Sequence, residues 1–190
     1  AGDDCQFAAG SSVPGTRDET SFVTTGFRPD AVYCASSWTR DERIMEADAD
    51  MSRGWAVEGD EGIIQAHTRN EDQAGQDPTV LLTRLNATHV ASSQDGTPGY
   101  TLVSILGFDS TRFYWRPAGS TIIRPLSWFA VSTGGARVML LTTTNLATTT
   151  AAPEPLPLPW VAQTVMALTT TMTATSAQLS GADAEGQGWY

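Results

Sequence analysis

The sequence predicts an all-β protein: an antiparallel β-sandwich, jelly-roll-like, followed by an extended Pro/Thr-rich C-terminal segment. Short apolar and β-branched runs recur at roughly 8 to 14 residues, bounded by Gly, Pro, Asn and Asp. No amphipathic helices separate them, which argues against a parallel sheet, because parallel strands need long crossover connections. The chain of 190 residues is 41% hydrophobic, with six Trp, six Phe and four Tyr. That is enough apolar material for one core plus an appendage, and far from the composition of disorder.

The expected strands, in order, are residues 21–25, 31–36, 54–58, 62–67, 80–85, 89–93, 100–107, 112–116, 127–132, 137–143 and 161–169. Each is rich in β-branched or aromatic residues and ends at a turn former. Between the second and third lies the one stretch of helix-like composition, residues 39–51, where Ile44, Met45 and Met51 can share a face; it reads as one or two helical turns or as an acidic surface loop. In 100–107, Leu102, Ser104 and Leu106 point one way and Val103, Ile105 and Gly107 the other. Both sets are largely apolar, so this strand is expected to be central and covered on both faces. Pro153, Pro155, Pro157 and Pro159 cannot donate to a sheet ladder and stiffen the chain into an extended spacer with a reach of roughly 20 Å. The expected organisation is therefore a sandwich module over 1–135, a Thr/Pro-rich strand and linker over 136–160, and over 161–190 the start of an incomplete second repeat or an intermolecular arm.

That last unit rests on a repeat. Phe27 to Thr39, moved forward by about 133 positions, falls on Trp160 to Met172: a bulky aromatic, an apolar run centred on Val32 or Val165, then Ser or Thr residues. A Gly-Trp pair follows in both, Gly54-Trp55 and Gly188-Trp189, one residue beyond the strict offset.

Charge narrows the partners. Asp and Glu number 21 against 11 basic residues, all of them Arg, for a net charge of −10. An all-Arg basic set suits GC-rich coding or adaptation to high salt. The acidic balance excludes nucleic acid as the main partner, since that affinity comes from cations releasing condensed counterions. No apolar run has the length of a membrane span and the N-terminus carries no signal-peptide pattern, so a membrane partner is not expected. Cys5 and Cys34 fit no zinc or redox spacing. They read as two buried free thiols, or as a disulfide tying the N-terminal segment to the first strand in an oxidising compartment.

Signals for catalysis are weak. There is no Gly-x-Ser-x-Gly elbow, and His67 and His89, the only histidines, read as strand residues facing solvent or as satisfied core positions. No Cys/His cluster suggests a metal, and Asp48-x-Asp50-x-Ser52 lacks the glycine and closing glutamate of a calcium loop. The expectation is a non-enzymatic protein without cofactors. Asn86-Ala-Thr88 is formally a glycosylation sequon. Phe113-Tyr114-Trp115-Arg116 puts Phe113 and Trp115 on one strand face and Tyr114 on the other, flanked by arginine. Trp55, Tyr114 and Trp115 are the candidate ligand-binding aromatics, suited to stacking on sugars.

A resemblance emerges from the motifs. Thr24-Thr25-Gly26-Phe27-Arg28-Pro29-Asp30-Ala31-Val32 resembles the Gly-Phe-x-Pro-x-x-Val opening of structural proteins of tailed bacteriophages, in modules that decorate heads or build tail fibres. Gly54-Trp55-Ala56, Gly107-Phe108-Asp109, Phe113-Tyr114-Trp115 and Trp128-Phe129-Ala130-Val131 follow in the order and approximate spacing of that pattern, over residues 21–135. The second copy departs from it, with Pro157-Leu158-Pro159-Trp160 in place of the opening. In this pattern Gly26, Phe27, Pro29, Val32, Gly54, Trp55, Gly107, Phe108, Trp128 and Phe129 are structural residues. The resemblance implies a virion component assembled in a host cytoplasm, acting by homo-oligomeric assembly with copies of itself and other virion proteins. A carbohydrate-binding or adhesin module recognising host-surface glycans is the alternative, and a β-sandwich hydrolase or lyase the weakest rival.

Overall fold

The structure is a computed structural model that describes residues 5–38, 50–73, 80–86, 88–94, 100–119, 123–134, 166–168 and 187–189. All regular structure among these residues is β. Ten strands form the body: β1 (Gln6–Ser12), β2 (Ser21–Thr24), β3 (Ala31–Trp38), β4 (Asp50–Gly59), β5 (Gly62–Gln73), β6 (Val80–Asn86), β7 (Ala91–Gln94), β8 (Tyr100–Phe108), β9 (Arg112–Gly119) and β10 (Leu126–Ser132). They make two antiparallel sheets, one in the order β1-β10-β3-β4-β5-β6 and one in the order β2-β9-β8-β7. The first and last strands pair in both sheets, β1 with β10 and β2 with β9. The two ends of the body are thus wound together around two meanders, β3 to β6 in one sheet and β7 to β9 in the other.

Period-two alternation places the core between the sheets. Val32 and Cys34 on β3, Ala56 on β4, and Leu126, Trp128 and Ala130 on β10 face Val23, Val103, Ile105, Phe113 and Trp115 from the other sheet. Phe113 sits edge-on to both Trp115 and Trp128, with ring centroids 5.3 and 5.6 Å apart, a geometry favoured by the ring quadrupoles. The opening motif behaves as its residue types demand. Gly26 has φ 86°, Phe27 packs against the core, Pro29 is fully buried just ahead of β3, and Val32 is fully buried within it. Pro117 lies within β9 without breaking a ladder bond. It stands opposite Val103, whose carbonyl faces β7 and accepts from the Val90 N–H, while the Pro117 carbonyl accepts from the Asp18 N–H at 2.8 Å.

Polar staples close one side of the sandwich. β7 is an edge strand whose backbone presses on β4. There the Ser92 N–H donates to the Ser52 hydroxyl at 2.8 Å, and the Ser36 hydroxyl donates to the Ser92 carbonyl. Past Val90 that edge of β8 has no strand beside it, and the Gln65 side chain substitutes for one. Its carbonyl accepts from the Ile105 N–H at 2.8 Å and its amide donates to the Ile105 carbonyl at 3.2 Å, where β8 carries a bulge between Ile105 and Gly107. The paired side-chain amide satisfies both main-chain groups that the short β7 leaves open. At the far end Asp30 accepts from the Thr133 N–H at 2.7 Å and from its hydroxyl at 2.8 Å, fixing the chain as it leaves β10.

Several expectations are corrected. β1 lies where no strand is expected; two alanines, a glycine and two serines follow Phe7, and pairing with β10 supplies what its weak propensity lacks. β8 is interior to its sheet, but only the Val103 and Ile105 face is sealed; Leu106 on the other is 40% exposed. The Cys5–Cys34 disulfide is absent: both thiols are free, Cys5 exposed and Cys34 buried. Asp50 and Met51, at the end of the helix-like stretch, belong to β4. The rest of that stretch, the expected strand at 137–143 and the Pro-rich linker lie outside the described residues.

The repeat reappears as register. β11 (Met166–Leu168) and β12 (Gln187–Trp189) pair with each other antiparallel, Met166 opposite Trp189 and Ala167 opposite Gly188. In the body, Tyr33 stands opposite Trp55 and Cys34 opposite Gly54. The offset that aligns the two passages therefore maps one pairing onto the other, including the one-residue slip at the Gly-Trp pair.

Candidate functional site

Each sheet turns one face outward, and the two faces differ in chemistry. On the six-stranded sheet the outward positions from β1 to β5 include Phe7, Ala9, Phe129, Val131, Ala31, Tyr33, Arg53, Trp55, Val57, Ile64 and Ala66, by alternation from the core residues. Register puts Phe129, Tyr33 and Trp55 in one row. Tyr33 and Trp55 meet at 5.1 Å, and Phe7 stacks on Phe129 at 6.3 Å. Phe7 is 73% exposed and Ile64 46%. Arg53 carries the one charge among these positions, in a chain with 21 acidic residues. The Trp55 indole N–H is buried there without an acceptor.

The outward face of the four-stranded sheet is smaller and polar-aromatic. Phe22, Tyr114 and Gly107 form one row across β2, β9 and β8. Phe22 is 54% exposed and meets Tyr114 edge-on at 6.3 Å, while the Arg112 guanidinium lies 4.6 Å from the Phe22 ring centre. The Tyr114 hydroxyl donates to Asp109 at 2.6 Å, and the same carboxylate accepts from the Thr111 N–H at 2.8 Å. The Tyr114 hydrogen bond, then the Thr111 amide, hold the Asp109 carboxyl below its ordinary range. Reciprocally, accepting from the phenol would become impossible once Tyr114 ionised, so its hydroxyl is raised above its ordinary value, chiefly by that bond. A Cβ added at Gly107 would meet no atom within 4 Å. The space beside the Tyr114 ring is open.

The candidate aromatics thus separate. Tyr114 and Trp55 lie on opposite outer faces, both half-buried. Trp115 is 1% exposed; its ring is core and has no surface to offer a ligand. Phe7, Tyr33, Phe22 and Arg112 were not among the candidates, because their membership of a shared face comes from register across strands far apart in sequence. A strand reading Ser-Phe-Val-Thr does hint that Phe22 and Val23 take opposite faces.

His67 is a satisfied core position. It is 2% exposed, and its Nδ1–H donates to the His89 carbonyl at 2.9 Å, joining β5 to the approach to β7. Burial lowers its pKa to about 4, because a cation there would be stripped of water. A chain unfolded at pH 5 binds a proton at this site that the folded protein refuses. The resulting stability is complete above pH 6.5 and is lost as pH falls from 6.5 toward 4, on the order of 3 kcal/mol in total. Urea denaturation at pH 7 and pH 4.5 is expected to show a larger loss for the wild type than for a His67→Gln variant; equal losses would show that His67 is not buried neutral. Cys34 is likewise a core residue, its thiol pushed up to about 12 by burial.

Among the described residues no group of His, Cys, Asp and Glu is placed to hold a metal ion, and no helix is long and apolar enough to cross a membrane. Comparison with protein-family models, with curated proteins and with solved structures returned no match.

Proposed function

We propose that this chain is a non-enzymatic structural component of a bacteriophage virion, decorating a capsid or building a tail or fibre, and that it works by self-assembly through the outward face of its six-stranded sheet. The observation that carries the reading is the near absence of charge among the described side chains of that face. A protein with a net charge of −10 repels its own copies, and the row from Phe7 through Phe129 and Tyr33 to Trp55 is where two copies approach with least repulsion and most apolar area to bury. Exposed contiguous apolar surface on a folded domain marks an interaction site. A two-fold contact needs only one such patch, since it meets itself. The motif residues Gly26, Phe27, Pro29 and Val32 serve the fold, as the phage resemblance implies.

The test is mass in solution. Sedimentation of the whole chain is expected to show concentration-dependent assembly, and a Phe7→Ser, Ile64→Ser double variant is expected to stay monomeric with an unchanged denaturation midpoint. A wild-type chain that is monomeric at the highest attainable concentration overturns the reading, as does a variant that assembles like wild type.

A further inference from the structure

We infer that the outward face of the four-stranded sheet, around Phe22, Tyr114 and Gly107, binds an acidic saccharide: a chain of pyranose rings bearing carboxylates. This does not rest on the assembly reading, because the two faces lie on opposite sides of the sandwich.

Four features of the face converge on this chemistry. Tyr114 stands between Phe22 and Gly107 in one cross-strand row, and the missing side chain at Gly107 leaves an open notch on the β8 side of Tyr114, with no atom within 4 Å of where a Cβ would stand. A flat ring with axial C–H bonds fits such a notch, where a branched side chain would not lie flat. Asp109, in the turn between β8 and β9, is an anion already holding the Tyr114 hydroxyl and the Thr111 amide. A carboxylate offers about four acceptor positions, so it retains capacity for a ligand hydroxyl.

The cations complete the pattern. Arg116 follows Tyr114 by two residues on the same face of β9, about 7 Å along the strand. It is exposed and makes no ion pair among the described residues. Arg112 stacks on Phe22 and keeps its Nε donor buried without an acceptor. Arg112 already bonds the Tyr114 hydroxyl and faces the Asp109 carboxylate, so Arg116 is the cation that this face keeps for an anion in an otherwise acidic protein. Guanidinium and carboxylate match in planar, bidentate geometry. A neutral sugar leaves Arg116 unused, and an acidic peptide lacks the ring for the notch and the hydroxyls for Asp109. The uronate ring supplies all three.

The experiment is calorimetric titration of the whole protein with trigalacturonate, with cellotriose as the uncharged counterpart and triglutamate as the ringless one. Trigalacturonate is expected to bind at least about tenfold more tightly than either, as one charge-assisted pair is worth. Arg116→Gln is expected to reduce that affinity by about tenfold. Gly107→Val, whose Cβ has open space around it and whose branched side chain suits a strand, is expected to abolish binding while leaving the denaturation midpoint unchanged. No binding of trigalacturonate, equal binding of cellotriose or triglutamate, or undiminished binding by a folded Gly107→Val protein overturns the assignment.

Discussion

Gly54→Ala is expected to cost about 4 kcal/mol or more and to leave much of the protein unfolded at ambient temperature. The added methyl would sit 2.3 Å from the carbonyl oxygens of both Ala66 and Val90 and 2.5 Å from the His67 Cβ. Two of the three obstacles are backbone. Ala66 belongs to β5, paired to β4, and Val90 leads into β7, whose backbone lies on β4 at this point. Relief therefore requires both distorting the β4–β5 ladder and moving β7 off β4, which breaks the Ser52, Ser36 and Ser92 bonds that close that side. Overpacking of this kind has no side-chain rotation to absorb it. Urea denaturation measures the loss, and Gly107→Ala is the control, since that position has open space and should change stability by less than about 0.5 kcal/mol. A Gly54→Ala protein of near-normal stability would mean that β7 does not pack on β4 as described.

The second large effect is expected from Trp115→Ala, at about 3 to 5 kcal/mol. The ring is 1% exposed, meets Phe113 edge-on at 5.3 Å, and stands opposite Ile105 across the β8–β9 ladder. Truncation removes the largest fully buried side chain among the described residues and leaves a cavity that two rigid sheets cannot collapse into. Trp115→Phe should cost far less than truncation, because the indole N–H finds no acceptor in the core and its removal recovers desolvation that the folded state bears. The melting temperature should fall by about 10 °C or more for the alanine variant. A loss below about 1 kcal/mol would place the ring outside the core and restore Trp115 as a ligand-binding candidate.

These two positions show how far local signals reach. The alternation in Arg112-Phe113-Tyr114-Trp115-Arg116 told Tyr114 apart from its neighbours, and most strands were legible from β-branched runs between turn formers. β1 was not, because Gln6 to Ser12 is mostly small and polar, and its strand state comes from the partner it finds more than a hundred residues later. The disulfide question was equally out of reach. Cys5 lies on the surface and Cys34 in the core, a separation set by which face of β3 turns inward. Gly54 carried a visible mark as half of a repeated Gly-Trp pair, yet the reason for the glycine, two carbonyls closing on its Cα, exists only after three strands have come together.

By itself the sequence determined that the chain is β, where most strands run, which residues alternate, and that the order of residues from Phe27 to Trp55 recurs from Trp160 to Trp189. Those properties follow from period-two side-chain geometry and from turn chemistry, which act over a few neighbouring residues. Only the tertiary structure decided which strands share a sheet, which face of each became core, and hence that Phe7, Tyr33 and Trp55 line one outer surface while Phe22, Tyr114 and Arg112 line the other. Pairing β1 with β10 or β2 with β9 joins segments some ninety to one hundred and twenty positions apart, and such pairing is selected by the summed burial of the whole core, for which no short stretch of sequence carries a signal.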